Sequence, residues 1–219
     1  MRKNLIIFGN SPFSKLLKWY IEHDDERKIY CFCVDKQYIN SDNFDGLPLI
    51  DFEGIEKVYP PDLYDILLGI GYTKMNDLRK EIYFRCKNKG YTIATFIHST
   101  ALIQTEDIGE GNIILEQTLV APFVSIGICN LLWYKIAIAH DDKIGDFNTI
   151  AGMASLCGDV TIKNNCFLGN SSVIKEHIVV NDYSLIGATA FVSKDTEPYS
   201  VITSPKSISL EGKKSTDFI

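Results

Sequence analysis

The sequence has little positive charge and contains no run of basic residues. Its 219 residues include 22 Lys and Arg against 28 Asp and Glu, which gives a formal net charge of -6 at pH 7. Proteins that wrap nucleic acid present a basic surface, so we expect no nucleic-acid partner. A site for a small phosphorylated molecule needs only local donors and is compatible with this charge.

The sequence also has no apolar run of about 18 residues, the length that crosses a membrane. The opening stretch MRKNLIIFGN lacks the apolar region and cleavage site of a signal peptide. Six scattered cysteines form no CxxC pair, and most stand in apolar segments. We therefore expect a soluble cytoplasmic protein with no membrane insertion, whose cysteines are reduced core residues.

Residues 1–97 alternate short apolar runs with helical patterns. NLIIFG predicts a strand, SPFSKLLKWYIEH a helix that begins after Ser11 with Pro12 in its first turn, and KIYCFCVD a second strand. Further elements follow in the same alternation, namely GLPLI, a helix around DFEGIEKVY, the strand YDILLGIG, the helix MNDLRKEIYFRCKNKG and the strand TIATFI. This order predicts an α/β domain with a small parallel sheet.

Residues 98–219 follow a different period. Every sixth residue from Leu102 to Val192 is Leu, Ile or Val, which gives sixteen matches in succession. Independent draws would produce such a series with a probability on the order of 10⁻⁵. Neither a helix nor a flat strand keeps one face at a spacing of six, whereas a solenoid with six-residue walls does.

The glycines indicate the length of one coil. Gly109, Gly127 and Gly145 are spaced by eighteen residues, each directly after an aliphatic residue of the series, and Gly169 and Gly187 repeat the spacing. Three walls of six residues make such a coil, and glycine is expected where a corner has no room for a Cβ atom. His140, in AHDDKIGDF, is the residue of this segment that packing does not explain.

Together these features resemble the bacterial nucleotide-sugar acetyltransferases of the PglD/NeuD type. The resemblance rests on the short α/β domain, the hexapeptide repeats, FIHSTALI at the junction, AHDDKIGDF, and GDVTIKNNCFLGNSSVI one coil later. It implies a Rossmann-like N-terminal domain, residues 1–97, followed by a left-handed parallel β-helix, residues 98–219. It also implies a homotrimer that binds acetyl-CoA as co-substrate between neighbouring prisms. No constellation of residues in the sequence suggests a metal site.

The resemblance also assigns site residues. The catalytic histidine and its acidic neighbour correspond to His140 and Asp141, and the oxyanion glycine corresponds to Gly158. A second histidine of the family, which contacts the acetyl group, is replaced here by Thr149. Backbone contacts to CoA are implied near Asn170 and Ala188.

The spacing independently places Gly158 next to His140. Gly158 follows His140 by eighteen residues, so one coil separates them and they should lie about 4.8 Å apart. Histidine suits the removal of a proton from an attacking amine, and a glycine N–H can approach an oxyanion without obstruction. Either Asp141 or Asp142 could orient the imidazole, and the alternative reading of His140 is an exposed corner residue.

The first loop, FGNSPFSKL, does not match GxGxxG, which argues against NAD. In the family this loop and the aspartate after the second strand hold the nucleotide of a sugar nucleotide. The resemblance carries that role onto a set of six residues: Gly9, Ser11, Pro12, Phe13, Asp35 and Gly71.

Several other residues keep two interpretations. Arg79 is interpreted as a solvated charge on a helix, or together with Tyr72 as a neighbour of the nucleotide. Trp133 and Tyr134 serve packing, or bind the acceptor. The remaining histidines, His23, His98 and His177, have no matching partner in the sequence and are expected to be structural or surface residues.

The leading hypothesis is an acetyl-CoA-dependent N-acetyltransferase that acts on a nucleotide-linked amino sugar for surface glycan synthesis. Its alternative within enzymes is O-acylation or transfer of a larger acyl group, which the Thr149 replacement favours. A solenoid that only binds a nucleotide sugar is the non-enzymatic alternative. The sequence does not name the nucleotide, the sugar or the modified position.

Overall fold

The computed structural model of the protein describes residues 4–217. It begins with a five-stranded sheet of order β3-β4-β2-β1-β5, in which only β3 is antiparallel to its neighbour. The strands are β1 (Asn4–Phe8), β2 (Ile29–Val34), β3 (Asn43–Phe44), β4 (Leu47–Asp51) and β5 (Tyr64–Leu68). Every residue from Leu5 to Phe8 is buried, as expected for a strand covered on both faces.

The first helix, α1 (Pro12–Asp24), begins where the sequence predicts. Ser11 caps it: the Ser11 hydroxyl accepts a hydrogen bond from the Ser14 N–H at 3.3 Å, and the Ser14 hydroxyl accepts one from the Ser11 N–H at 3.2 Å. This reciprocal capping satisfies two N–H groups that the helix itself leaves without acceptors. Pro12 in the first turn has no N–H to lose.

The second helix, α2 (Asp77–Asn88), ends before Gly90, whose φ of +87° is the left-handed conformation common after helix ends. The helix predicted around DFEGIEKVY is wrong, because only the single 3-10 turn Ile55–Lys57 forms there. Two other 3-10 turns span Lys36–Tyr38 and Ser215–Asp217. The predicted strand TIATFI is divided: Ile93 bridges to Ile66 of β5, whereas Phe96–Ile97 already pairs with the second unit.

The rest of the chain forms a three-walled prism of two-residue parallel strands. The first wall contains β6 (Phe96–Ile97), β8 (Ile113–Ile114), β11 (Leu131–Leu132), β14 (Thr149–Ile150), β17 (Phe167–Leu168), β20 (Leu185–Ile186) and β22 (Val201–Ile202). The second wall contains β7 (Leu102–Ile103), β9 (Leu119–Val120), β12 (Ala137–Ile138), β15 (Ser155–Leu156), β18 (Val173–Ile174) and β21 (Phe191–Val192). The third wall contains β10 (Ser125–Ile126), β13 (Lys143–Ile144), β16 (Thr161–Ile162) and β19 (Val179–Val180).

The register of these walls confirms the predicted coil. Ile138 pairs with Leu156 and Ile150 with Leu168, so successive coils are offset by eighteen residues. The six-residue series therefore lies inside the prism, and its members from Ile114 to Val192 form one apolar core. The protein consists of parallel sheets with only two α-helices among its described residues, as the sequence predicts in outline.

The first and last coils depart from the period. Ile103, not Leu102, pairs with the inward Val120, because the first coil has seventeen residues instead of eighteen. Leu102 is 57% exposed, so its predicted place inside the prism is wrong. At the other end, Ile202 pairs with Ile186, which leaves a final coil of sixteen residues.

The corners have a uniform backbone conformation. Every sixth residue from Gln117 to Thr189 has a positive φ, between 49° and 64°, although none is glycine. The glycines of the sequence repeat serve another purpose: a Cβ atom on Gly109 would lie 2.6 Å from the carbonyl oxygen of Gly127. They are required because neighbouring coils approach so closely that a Cβ atom has no room, as the sequence predicts.

Apolar side chains join the α/β layer to the prism. Leu131 of the first wall packs in the same core as Leu5 and Leu17, and Cys129 and Phe147 pack with Ile82 and Cys86.

Five of the six cysteines are buried, but Cys157 is exposed, so the prediction that all are core residues is wrong for Cys157. No helix within residues 4–217 combines the length and apolarity needed to cross a membrane. The predicted boundary after residue 97 remains a prediction.

Candidate functional site

His140 lies at the corner between the second and third walls, two residues after the inward Ile138. Its side chain is 70% exposed, so it does not contribute to the core. The imidazole Nδ1 lies 2.8 Å from Oδ2 of Asp141. Because a carboxylate only accepts hydrogen bonds, this contact places the proton on Nδ1 and leaves Nε2 as the acceptor of a neutral imidazole.

The two aspartates after His140 have different environments. Asp141 is the corner residue, with φ of +63°, and its carboxylate faces the imidazole. Asp142 points into the prism, where Oδ1 accepts a hydrogen bond from the Val160 N–H at 2.8 Å and Oδ2 has no partner. Burial raises the pKa of Asp142 to about 6, opposed by nearby N–H groups and the charge of His140. Of the two aspartates, Asp141 is thus the one that contacts the imidazole.

Gly158 lies beside His140 on the next coil. The Asp159 N–H donates a hydrogen bond to the carbonyl oxygen of His140 at 3.1 Å, which fixes the register at this corner. A Cβ atom on Gly158 would lie 3.6 Å from both Nε2 and Cε1 of His140. Gly158 also has φ of +108°, a conformation that side chains disfavour. The Nε2 edge of the imidazole therefore lies directly over the buried Gly158, where any side chain would touch it.

A second histidine and aspartate pair stands one coil further along the same corner. His177 Nδ1 lies 2.9 Å from Oδ2 of Asp159, and both side chains are exposed. The prediction that His177 has no matching partner is wrong, because a pairing across eighteen residues is visible only once the register is known. The atoms nearest to a Cβ position on Gly158 belong to His140 and not to His177, which distinguishes the two histidines.

A cleft of about 500 Å³ opens at the carboxyl ends of β1, β2 and β5. Four of the six residues predicted to hold a nucleotide line it: Gly9, Ser11, Asp35 and Gly71. Gly9 has φ of +127°, and a Cβ atom there would lie 2.8 Å from the Gly69 carbonyl oxygen, so only glycine fits this turn. The start of α1 is at the same edge, where a helix dipole favours negative charge.

The other two predicted residues do not line the cleft. Phe13 packs against Trp133 of the prism, with ring centroids 5.6 Å apart, and Pro12 lies exposed in the first turn of α1. Of the two interpretations of Trp133, packing and acceptor binding, this contact supports packing. Asp35 forms an ion pair with Arg85, whose Nη1 lies 3.0 Å from Oδ2, so the floor of the cleft carries both charges.

Thr149 and Arg79 belong to a buried network between α2 and the prism. Arg79 Nη2 donates hydrogen bonds to Thr149 Oγ1 and Asn76 Oδ1, each at 2.7 Å, and Nη1 donates to the Cys129 carbonyl oxygen at 3.0 Å. Burial lowers the pKa of Arg79 to about 10. The interpretation of Arg79 as a solvated charge is wrong, because the residue is only 2% exposed. Thr149 is fully buried and does not meet His140 within the chain.

Asn170 and Ala188 are neighbours at the corner between the first and second walls. Both are exposed, and the Thr189 N–H donates to the Asn170 carbonyl oxygen at 2.8 Å. The second wall separates them from His140 and Gly158 in the same chain. Apart from Thr149, Pro12 and Phe13, the predicted site residues therefore lie in three groups, at two prism corners and at the cleft.

Similar structures share the whole of this architecture. A GDP-perosamine N-acetyl transferase from Caulobacter crescentus, solved with CoA and GDP-perosamine, superposes with a TM-score of 0.81 at 16% identity over 93% of this chain and 95% of that one. The acetyltransferase domain of PglB from Neisseria gonorrhoeae, in complex with acetyl coenzyme A, gives 0.71 at 18% identity, covering 93% of this chain and 97% of that one. The predicted resemblance is confirmed at the level of the fold.

Sequence comparison gives shorter matches. An acyl-[acyl-carrier-protein]–UDP-N-acetylglucosamine O-acyltransferase from Aliivibrio fischeri is 28% identical over 122 residues, which cover 51% of this chain and 47% of the relative. The chain thus spans about half the length of the curated relatives it matches. No family model matches the sequence.

Proposed function

We propose that the protein transfers an acetyl group from acetyl-CoA to the amino group of a nucleotide-linked sugar. The observation that carries this proposal is the His140 corner, where an exposed imidazole is oriented by Asp141 and faces a glycine on the next coil. Both solved relatives with this fold bear acetyltransferase names, and one was solved with CoA and a nucleotide sugar.

The chemistry assigns a general-base role to His140. The neutral sugar amine attacks the thioester carbonyl carbon while Nε2 of His140 removes a proton from the amine. The C–N bond forms, the tetrahedral intermediate expels the CoA thiolate, and the imidazolium returns the proton to sulfur. Asp141 holds the ring through Nδ1 and stabilises its protonated form, as carboxylates do in catalytic triads.

Gly158 provides the space for the acyl group. With no side chain there, the thioester can lie close to Nε2. The resemblance assigns the Gly158 N–H as the donor to the developing oxyanion. Preorganised donors of this kind contribute about 3 kcal/mol of transition-state stabilisation. Exposed backbone at Asn170 and Ala188 then remains for the CoA chain, as the resemblance implies.

The cleft in the α/β layer is the proposed acceptor site. Its Gly9 turn leaves the backbone open, Ser11 caps the adjoining helix, and Asp35 ends the second strand. Ligands of open parallel sheets bind at this edge, outside the carboxyl ends of the strands. We accordingly treat residues 1–97 as a Rossmann-like nucleotide-sugar domain and residues 98–219 as a left-handed β-helix. Pro12 and Phe13 have no direct part in this site.

The cleft, the His140 corner and the Asn170 corner occupy separate places in one chain, so a complete site requires more than one copy. We infer a homotrimer in which neighbouring prisms share each site and the acetyl-CoA lies between them. Thr149, which is buried in its own chain, would then support the site from behind and not contact the acyl group. The substrates place the reaction in the cytoplasm, in the synthesis of surface glycans.

O-acylation is the second candidate function. The curated relatives named above are O-acyltransferases that use an acyl carrier protein, and a hydroxyl acceptor needs the same base and oxyanion donor. A larger acyl group is part of this alternative.

The test is thiol release from acetyl-CoA with a panel of UDP- and GDP-linked sugars that carry an amino or a hydroxyl group at the same ring position. The proposal expects turnover with at least one amino sugar and none with its hydroxyl counterpart. Turnover only with hydroxyl sugars would favour O-acylation. Tight binding without any turnover would contradict both and favour a binding module.

A further inference from the structure

A strained segment crosses from the cleft to the prism directly before α2. Lys74, Met75 and Asn76 follow one another with φ of +52°, +51° and +68°, and none of them is glycine. Left-handed conformations are uncommon for such residues, and three in succession persist only where the surroundings fix them. We therefore expect contacts with the rest of the protein to fix the backbone of this segment, residues 74–76.

Asn76 is the anchor that fixes the segment. It is fully buried, its amide donates to the Cys166 carbonyl oxygen at 3.2 Å, and its Oδ1 accepts from Thr149 Oγ1 at 2.6 Å. The Arg79 guanidinium donates to the same oxygen. Asn165 adds a hydrogen bond to the Met75 carbonyl oxygen at 3.1 Å. Residues 74–76 are thus tied to the first wall at both the backbone and the side chain.

The anchored segment holds Lys74 at a junction. Lys74 is exposed and lines both the cleft and a second hollow of about 430 Å³ beside the first wall. Among the ion pairs found within residues 4–217, none involves Lys74. A lysine ammonium that is not neutralised by the protein is suited to contact phosphate.

The second hollow is mainly apolar and aromatic, and Lys74 and Asp77 are its charged lining residues. Tyr183 and Tyr199 stack in its wall with ring centroids 4.9 Å apart and an angle of 11° between their planes. The Tyr183 hydroxyl donates to Asp77 Oδ1 at 2.9 Å, which fixes the pair against α2. Tyr199 is 71% exposed, and the neighbouring Val201 is 69% exposed. An exposed ring face beside aliphatic side chains offers a flat surface of low polarity.

We propose that Lys74 binds the diphosphate of the acceptor and that the second hollow receives its sugar ring over Tyr199. This inference rests on the proposed function and adds two specificity-determining residues to it. The three parts of a nucleotide sugar then follow one line, with the nucleoside in the cleft, the diphosphate at Lys74 and the sugar in the hollow. The apolar floor at Leu185 and Val201 suits a sugar with a deoxygenated edge.

The placement also explains why a second copy is needed. Tyr183 and Tyr199 stand on the side of the first wall, several coils beyond His140 and at a different corner. A sugar amine held in this hollow cannot meet His140 of the same chain. The partner subunit's His140 must then approach the hollow from outside.

Isothermal titration without acetyl-CoA tests the proposal through binding alone. The probes are two nucleosides, uridine and guanosine, their diphosphates UDP and GDP, and two sugar nucleotides. The sugar nucleotides are GDP-perosamine and a UDP-linked 4-amino sugar, each titrated separately. The variants are Lys74→Ala, Tyr199→Ala and Tyr199→Phe. Lys135→Ala is the matched control, because Lys135 is also exposed with a left-handed φ of +55° but stands at a remote prism corner. Melting temperatures of all variants verify that they fold.

We expect Lys74→Ala to weaken binding of the preferred nucleoside diphosphate about tenfold, with nucleoside binding and the Lys135→Ala control unchanged. Tyr199→Ala should weaken binding of the sugar nucleotide about fivefold while the diphosphate binds as before, and Tyr199→Phe should match the wild type. Equal affinities for Lys74→Ala and Lys135→Ala, or unchanged sugar-nucleotide binding by Tyr199→Ala, would overturn the subsite even if the wild type acetylates its acceptor. A wild-type protein that binds none of the nucleotide probes would overturn the proposed function as well.

Discussion

Arg79 Nη2 donates a hydrogen bond to Thr149 Oγ1 at 2.7 Å, across the junction between helix α2 and the first wall of the prism. The guanidinium also donates to Asn76 and to three backbone carbonyl oxygens, so one buried cation organises the joint between both units. Through Asn76 and Thr149, the guanidinium connects the segment before α2 to the coil that follows His140.

Replacing Arg79 by Met should destabilise the protein by about 3 kcal/mol, because it leaves buried acceptors without a donor. Urea denaturation measures the free energy of unfolding. The neighbouring Lys80→Met, on the same helix, is the control and should cost less than about 1 kcal/mol. Similar losses for both variants would show that the Arg79 network does not hold the joint.

Asp142 should make stability depend on pH. Burial raises its pKa in the folded protein to about 6, above its ordinary value of 3.8. Its stabilising contribution is therefore complete below about pH 4 and is lost as the pH rises through 6. The melting temperature of Asp142→Asn, relative to wild type, should rise between pH 4 and pH 7 and then level off. A difference that stays constant over this range would contradict the assignment.

Gly158→Ala should reduce kcat about a hundredfold, because the new methyl group occupies the space against His140 Nε2. The positive φ of Gly158 adds a stability cost of about 1 to 2 kcal/mol. Gly46→Ala separates the two effects: Gly46 has φ of +82°, yet nothing lies within 4 Å of a Cβ atom there. Gly46→Ala should lose stability alone. Full activity in Gly158→Ala would exclude the acyl position at this coil.

Cys157 offers a probe of the proposed acyl-donor site, since it precedes Gly158 and is the exposed one of six cysteines. A maleimide should label one thiol per chain, and Cys157→Ser should abolish the labelling. Saturating CoA should slow the reaction about tenfold because the bound donor covers this corner. Labelling that proceeds at the same rate with CoA would place the donor elsewhere.

The prism was predictable from the sequence because each inward residue has the same surroundings in every coil. Ile138, Ile144 and Ile150 could thus be assigned by counting, as could the proximity of Gly158 to His140. Leu102 could not, since the chain has one residue fewer between Ile103 and Ile108, which shifts the period, and no local signal marks that shift.

The docking of the α/β layer on the prism was not predictable in the same way. Arg79 lies on a helix of mixed polarity, and its burial arises from acceptors on residues 50 to 70 positions away in sequence. Phe13 likewise follows a loop expected to bind nucleotide but packs on Trp133. Such contacts depend on the relative placement of two units, which a periodic pattern does not contain.

The central claim is that His140 is the general base, and acetyl-CoA thiol release by His140→Ala tests it most directly. His177→Ala is the matched control, because His177 forms the same kind of pair with Asp159 on the same corner. With the acceptor that the wild type prefers, the account predicts a loss in kcat of about a thousandfold for His140→Ala and no change for His177→Ala. A folded His140→Ala protein that retains wild-type kcat, or an equal loss in both variants, would contradict it.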